Sequence, residues 1–348
     1  MAMKYKTILI TGGAGFIGSN LAVSFKNRYK GIEIIALDNL KRRGSEMNLA
    51  RLKENGVDFI HGDIRNPEDL TLNKKIGLVI ECSAEPSVLA GYGTNPKYIV
   101  NTNLLGTVNC LELARTNKAD VIFLSTSRVY PYEAINNIKA QEKATRFDWV
   151  NKNGISESFT TSGAKTLYGA TKLASELLIE EYIASYGIKA VINRCGVVAG
   201  PWQFGKVDQG IFTYWLLGHY FKKELKYIGF GGKGKQVRDL LHVSDLFELV
   251  DLQAKMMSRA SGKIYNAGGG RSVNLSLREL SGLCAKITGN TIKIGCERNT
   301  RPGDIKIYIS DNSRVAHDLG WAPKKSAEEI LLDTFRWIKN FEKQLKSL

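Results

Sequence analysis

A strand-like run, Lys6-Thr7-Ile8-Leu9-Ile10-Thr11, leads straight into Gly12-Gly13-Ala14-Gly15-Phe16-Ile17-Gly18, and a helical pattern follows at once. Few folds have a use for glycines at three-residue intervals in that position. Gly12 permits a tight turn, Gly15 lets backbone amides approach a pyrophosphate, and Gly18 lets the helix pack close to the strand. The helix N-terminus then faces the negative charge. A glycine triplet alone is weak evidence, but the next apolar run ends in Asp38, 20 residues beyond Gly18 (38 − 18). A carboxylate there binds the adenosine ribose hydroxyls and favours NAD over NADP, because a 2′-phosphate would meet it unfavourably. Arg42 and Arg43 stand near enough in sequence to soften that preference. The competing reading of Asp38 is a turn former in Leu37-Asp38-Asn39. Asp63-Ile64 closes a third apolar run and is expected near the adenine, with an ordinary strand-end Asp as the alternative.

Short apolar runs alternate with amphipathic segments through the first half, the pattern of βαβ units. Strands are expected at 6–11, 32–37, 57–62, 77–82, 121–125 and 189–194, with long helices over 96–117 and 166–185. The fold class is therefore α/β, a doubly wound parallel sheet of the Rossmann type. Beyond Gly200 the pattern turns irregular, with helices expected near 210–223 and 243–258 and another after Ser276. At 348 residues the chain is long for one core. Residues 1–197 are read as the dinucleotide-binding domain carrying the catalytic residues. Residues 198–348 are read as mainly a smaller, mixed α/β substrate-binding region, interleaved with the first.

Composition sets outer limits. Apolar residues make up 43% and charged residues 24%, ordinary for a soluble globular protein. No apolar run approaches the roughly 18 residues of a membrane span, and the opening residues lead directly into a strand, which excludes a signal peptide from this reading. Five cysteines, Cys82, Cys110, Cys195, Cys284 and Cys296, are scattered without a CxxC pair, which points to reduced thiols, no metal site and a cytoplasmic location. The net charge of +15 is spread along the chain rather than massed. It reads as a solvated surface that helps to steer small anions, not as a nucleic-acid footprint.

The chemistry-bearing pair is Tyr168 and Lys172. Four residues make about one helical turn, so phenol and ammonium share a face, and a cation beside a phenol favours the phenolate that a base near neutral pH requires. A lone Tyr-x-x-x-Lys is commonly a surface pair. Here it follows a nucleotide-binding pattern and lies 42 residues beyond Thr126 (168 − 126).

The glycine turn, Asp38, Asp63-Ile64, the Asn103-x-x-Gly106-Thr107 element, Ser125-Thr126-Ser127 and Tyr168-x-x-x-Lys172 together resemble the extended short-chain dehydrogenase/reductase superfamily (the NAD-dependent epimerases and dehydratases), over nearly the whole chain. Within its nucleotide-sugar branch the chain resembles the CDP-paratose 2-epimerases, also called CDP-tyvelose epimerases. Gln203-Phe204 with Asp208-Gln209-Gly210, and Gly234-Lys235-Gln236-Val237-Arg238-Asp239, are the discriminating stretches. The resemblance implies that Tyr168 takes a proton from a sugar hydroxyl while Lys172 binds the nicotinamide ribose and lowers the tyrosine pKa. Thr126 would hydrogen-bond the reacting oxygen. Gly12, Gly15, Phe16, Ile17, Gly18, Asp38, Asn39, Asp63, Ile64, Ala84, Asn103 and Ser125, together with Tyr168 and Lys172, would hold a tightly bound NAD, regenerated in each turnover. Hydride would leave C2 of a CDP-hexose and return to its other face.

Neighbouring activities fit less well. The related 4,6-dehydratases carry an Asp-Glu pair directly after the catalytic hydroxyl, and here those positions are Ser127-Arg128. Arginine is neither acid nor base at working pH. A UDP-hexose 4-epimerase is the runner-up, but its Arg-Tyr-Phe-Asn strand end is here Arg194-Cys195-Gly196-Val197. A non-catalytic NAD(H) sensor would need no Tyr168, Lys172 and Thr126 together. Substrate-side candidates are Thr126, Ser127, Gln203, Asp208, Arg238 and Arg301. The two arginines suit a diphosphate, although Arg238 could instead pair with Asp239 or Asp245. Family analogy implies a homodimer built on the long helices near Asn103 and Tyr168.

Overall fold

The computed structural model describes residues 3–205 and 209–346. The apolar runs of the first half form strands β1 (Thr7–Thr11), β2 (Glu33–Asp38), β3 (Asp58–His61), β4 (Leu78–Glu81) and β5 (Asp120–Thr126). A small antiparallel hairpin, β6 (Ala140–Glu142) and β7 (Phe147–Trp149), stands apart from them. Then come β8 (Ala190–Cys195), β9 (Val197–Ala199), β10 (Leu225–Ile228), β11 (Val237–His242) and β12 (Lys263–Ala267). Seven of these make one sheet in the order β12-β8-β5-β4-β1-β2-β3, and every neighbouring pair in it is parallel. β1 is buried along its whole length, as expected of a strand covered on both faces.

The helices up to this point are α1 (Phe16–Arg28), α2 (Met47–Glu54), α3 (Lys97–Val100), α4 (Gly106–Asn117), α5 (Tyr132–Asn136), α6 (Leu167–Tyr186), α7 (Ile211–Tyr220) and α8 (Val243–Lys255). Of these, α1 and α8 cover one face of the sheet, α4 and α6 the other. One core joins Ile8, Ile10 and Ile34 of the sheet to Leu21 and Phe25 of α1 and Leu246 and Val250 of α8. The opposite core joins Leu9, Val79 and Phe123 to Leu111 of α4 and Ile179 of α6. The helix expected over 96–117 is interrupted: a π-type turn at Asn101–Leu105 separates α3 from α4. Such turns are wider than the α-helix and reset which side chains face inward.

The later part of the chain supplies more to the main sheet than its irregular pattern suggested. β12 runs beside β8, and α8 packs into the α1 core, so both return from beyond residue 197. β11 also pairs with β9, with β13 (Asn274–Ser276) and with β15 (Ile307–Tyr308), and β10 pairs with β14 (Ile294–Glu297). After α9 (Met257–Ala260) come α10 (Leu277–Thr288), α11 (Ser313–Leu319) and α12 (Ala327–Asn340). Trp215 and Leu216 of α7, Leu280 and Cys284 of α10, and Ile330, Leu331 and Trp337 of α12 share a separate core. Both α10 and α12 start with a capping box, Ser276 with Glu279 and Ser326 with Glu329, each worth about 1 kcal/mol or more. Among the described residues, no helix is long and apolar enough to cross a membrane.

Candidate active site

In the main sheet β1 lies between β2 and β4, so the strand order changes direction there. Open parallel sheets bind ligands at the carboxyl ends of such strands. A cavity of about 850 Å³ opens at that point. Gly12, Gly15 and Gly18 line one end of it. Gly12 has φ +64°, and a Cβ on Gly18 would lie 2.1 Å from the Gly12 carbonyl oxygen, so turn and helix fit together only without side chains. Gly15 caps α1 with no side-chain hydrogen bond, and the first turn holds no acidic residue. Its amides therefore remain available to an anion.

Asp38 stands at the next strand end along this wall. Its Oδ2 accepts from Ala14 N (3.1 Å) and its Oδ1 from Leu40 N (2.8 Å). Burial raises the Asp38 pKa and these backbone donors oppose the rise. A carboxylate has about four acceptor positions, so capacity remains for two ribose hydroxyls. Asp63 is held by Arg65 and by Asn39 Nδ2 (2.9 Å), and the Arg65 guanidinium keeps its pKa at about 2. Phe16, Ile17, Ile64 and Ala84 complete an apolar wall. A glycine cradle, open helix amides, a carboxylate with spare acceptor capacity and an apolar wall fit a dinucleotide with an unphosphorylated ribose, namely NAD.

The other end of the cavity is built from β5 and α6. Thr126 ends β5, and Tyr168 lies in the first turn of α6 behind the Thr166 cap. Between them, Gly169 approaches the Arg128 backbone so closely that a Cβ would sit 2.0 Å from its carbonyl oxygen. That contact brings the start of α6 against the loop after β5. Burial pushes the Tyr168 phenol up to about 12, opposed by a hydrogen bond with Thr126 and by the charge of Arg128, while Cys195 and Glu85 push it further up. Lys172, one turn further on, is 2% exposed. Its Nζ stands 3.8 Å from the centroid of the Phe123 ring. Burial lowers the Lys172 pKa, and Glu81 opposes that most strongly.

Ser125, Thr126, Ser127, Tyr168 and Gln203 line the cavity. Ser125 donates to Glu176, and Gln203 is fixed at both ends, by the Val198 carbonyl (2.8 Å) and the Thr213 hydroxyl (2.6 Å). Lys172 and Asn103 stand behind the lining. Asn103 clamps the backbone of Glu85, with its Oδ1 2.7 Å from Glu85 N and its Nδ2 3.1 Å from the carbonyl. Arg238 and Arg301 lie outside the lining. Arg238 donates to the Val237 carbonyl at 2.8 Å and feels the like charge of Arg128. It forms no ion pair with Asp239, which accepts from Ser310 N and Gly270 N, or with Asp245, which accepts from Lys324 N and Lys325 N. Asp208 falls outside the described residues.

Among the cavity residues that the sequence reading left without a site role are Arg128 and Glu85. Arg128, weighed there only as a missing acid, lines the cavity, donates to the Gly303 carbonyl (3.0 Å) and acts electrostatically on Tyr168. Glu85, set in the polar stretch after β4, accepts from Gln209 Nε2 at 3.3 Å, and Arg42 in turn bonds Gln209 and the Phe204 carbonyl (2.6 Å). Nothing in spacing marks these hydrogen bonds, because each joins segments more than a hundred residues apart.

Comparison with known proteins agrees with this geometry. The chain is 32% identical over 343 residues to CDP-paratose 2-epimerase of Salmonella typhi, covering 95% of this chain and 98% of that protein. It is 29% identical to dTDP-glucose 4,6-dehydratase of Mycobacterium tuberculosis, covering 96% and 94%. Its structure matches UDP-glucuronic acid 4-epimerase from Bacillus cereus, solved with UDP-glucuronic acid and NAD, with a TM-score of 0.80 and 25% identity over 96% of this chain and 99% of the other. The profile of the NAD dependent epimerase/dehydratase family matches residues 8–268, and with a glycine cradle and a strand-end carboxylate that fit the cofactor, this chain belongs to that family and uses NAD.

Proposed function

We propose that the protein epimerises a nucleotide sugar, inverting C2 of a CDP-hexose of the paratose and tyvelose kind through a transient 2-ketosugar. The observation that carries this reading is the wall where Thr126 and Tyr168 meet beside the glycine cradle, followed by Ser127 and a half-buried Arg128. Loss of water needs an acid and a base beside the hydroxyl. A guanidinium supplies neither, which separates this site from dehydration although a 4,6-dehydratase is among its relatives. The C2 position and the cytidine base rest on the likeness to CDP-paratose 2-epimerase.

In this mechanism Thr126 and Tyr168 converge on one sugar oxygen. Tyr168, as phenolate, takes the hydroxyl proton as the carbon is oxidised, and Thr126 holds the oxygen by a hydrogen bond. Bound NAD would supply the hydride acceptor for this half and the donor for the return. The ketosugar then presents its other face, and Tyr168 returns its proton to the oxygen as the C–H bond re-forms. No proton or electron pair is gained or lost overall. Lys172 would hold the nicotinamide ribose from behind the wall. Residues 198–348 would supply most of the sugar-side wall through Gln203 and its neighbours. Exposed Leu105, beside α4, and exposed Leu177 and Tyr186 on α6 support a homodimer through those helices.

The test is NMR on the purified protein incubated in D₂O with CDP-, UDP- and GDP-hexoses and no added cofactor. Inversion at C2 of a CDP-sugar without deuterium uptake is the expected result. Inversion at C4 of a UDP-sugar would move the substrate to the alternative seen in structural relatives, and deuterium at the inverted carbon would overturn hydride return.

A further inference from the structure

The polar stretch that closes β4, Glu81-Cys82-Ser83-Ala84-Glu85, has no role in the reaction as described. Yet Glu81 lies at the centre of the sheet. Its strand partners are Thr11 in β1 and Phe123 in β5, and all three side chains project to the face covered by α4 and α6. Lys172 Nζ stands over the ring of that same Phe123. Glu81 is 1% exposed. Its Oε1 accepts from the Thr107 hydroxyl at 2.6 Å, and its Oε2, equally buried, has no hydrogen-bond partner. Among the described residues no carboxylate lies within 4.0 Å of Lys172 Nζ to form an ion pair. A buried carboxyl oxygen and a buried ammonium, both without a direct partner, thus share one small space beneath the cavity.

The other groups facing Lys172 are accounted for. Glu176, on the same helix, is taken by Arg194, Nη2 to Oε2 at 2.7 Å with Nε at 3.1 Å, and by Ser125. Cys82, just after β4, and Cys195 on β8 are held as thiols, since burial raises both pKa values, Cys195 to about 12. Cys110 of α4, which faces Glu81, is likewise pushed well above the ordinary thiol value. Tyr168, on the cavity side of α6, is a neutral phenol until a cation draws its proton away. Glu81 is the remaining carboxylate beside Lys172; burial raises its own pKa, and the Lys172 charge and the Thr107 hydrogen bond oppose that rise and favour the carboxylate.

We infer that Glu81 is a positioning residue that keeps Lys172 in its ammonium form at the floor of the active site, and through Lys172 sets the upper pH limit of the reaction. This rests on the catalytic reading of Tyr168 and Lys172 given above. The sign follows from the surroundings. Burial draws the Lys172 pKa down and the Glu81 charge holds it up. The ammonium is present below that pKa and is lost as pH rises through it. Without the carboxylate the loss comes at lower pH, so the alkaline limb of activity moves toward neutrality.

The experiment titrates Lys172 directly in NAD-loaded protein carrying ¹³C-labelled lysine, with Lys172→Arg used for assignment, and records the pH profile of kcat alongside it. In Glu81→Gln, which keeps shape and the Thr107 contact, the Lys172 titration and the alkaline limb should both fall by about one unit or more, as expected when an opposite charge is removed. Glu81→Asp should restore most of the shift. Thr107→Val, which removes only the hydrogen bond favouring the charged carboxylate, should move both in the same direction by less, and serves if the Gln protein does not fold. An unmoved Lys172 titration in Glu81→Gln or Thr107→Val would overturn the inference. It would mean that Glu81 is a neutral acid donating to Thr107, whose own proton then goes to the Asn103 carbonyl 2.9 Å away. A shifted titration with an unmoved activity profile would keep the Glu81–Lys172 coupling and instead refute the catalytic reading of Lys172.

Discussion

Lys172 and Glu176 are successive turns of α6, and each meets a charged group from the sheet, but the two encounters are built differently. Glu176 is 1% exposed and meets Arg194 of β8 in a bidentate pair. The Arg194 Nη1 reaches Tyr130 Oη (3.2 Å), which donates to Asn266 of β12 (2.8 Å). Every strong donor and acceptor in that cluster is used. One turn earlier, Lys172 and Glu81 face each other with a carboxyl oxygen unpaired and no contact at ion-pair distance. A closed buried pair costs desolvation and repays it with geometry. An open one leaves free energy in the protonation states, and that is how groups come to titrate where chemistry needs them. The difference separates a joint that holds β5, β8 and β12 against α6 from a charge arrangement that serves the reaction.

Removing the phenol gives the largest expected effect. Tyr168→Phe takes away the acid–base group and leaves both pairs in place, so turnover should fall about 10²–10⁴-fold while the protein folds and retains NAD. Undiminished turnover in an assay of the purified variant would refute the mechanism. The closed pair should dominate stability. Arg194→Met strands a buried carboxylate and should cost about 3–5 kcal/mol in denaturant unfolding, with much of that recovered in a double variant that also carries Glu176→Leu. A loss in Arg194→Met below about 1 kcal/mol would show that this cluster is not the joint described. At the open pair, Glu81→Gln should change unfolding free energy by less than about 1.5 kcal/mol, an isosteric change that keeps one hydrogen bond. Its effect belongs in the pH profile. A stability loss as large as that of Arg194→Met would erase the contrast.

The sequence made the glycine turn and the tyrosine–lysine repeat legible and hid both buried pairs. The glycine turn, Asp38 and Tyr168-x-x-x-Lys172 announce themselves because their geometry is local: a turn, a strand end, one helical repeat. The parallel strands through β5 and β8 could be read for the same reason, from apolar runs of strand length. Neither buried pair could be read that way. Arg194 meets Glu176 across 18 residues, Glu81 meets Thr107 across 26, and Tyr130 meets Asn266 across 136. These contacts exist only once the sheet has set its order. β12 was invisible too, since Lys263-Ile264-Tyr265-Asn266-Ala267 carries little of the apolar continuity that marks a buried strand. The helix α12 did carry a local signal in Ser326-x-x-Glu329, a capping box that the irregular pattern around it obscured.

The smallest effect is also the sharpest test of the contrast. Ser125 donates to the closed pair and lines the cavity one residue before Thr126. If that pair is a joint and nothing more, Ser125→Ala should cost about 1 kcal/mol of stability, the worth of one hydrogen bond to a charged group less what relaxation recovers. The pH profile of kcat should stay fixed, because Glu176 remains neutralised by Arg194 and Lys172 does not register the change. A shift of the alkaline limb in Ser125→Ala comparable to that in Glu81→Gln would mean that charge passes between the two clusters along α6. The floor of the site would then be one coupled network of Lys172, Glu176 and Arg194, with Glu81 as only one of its members.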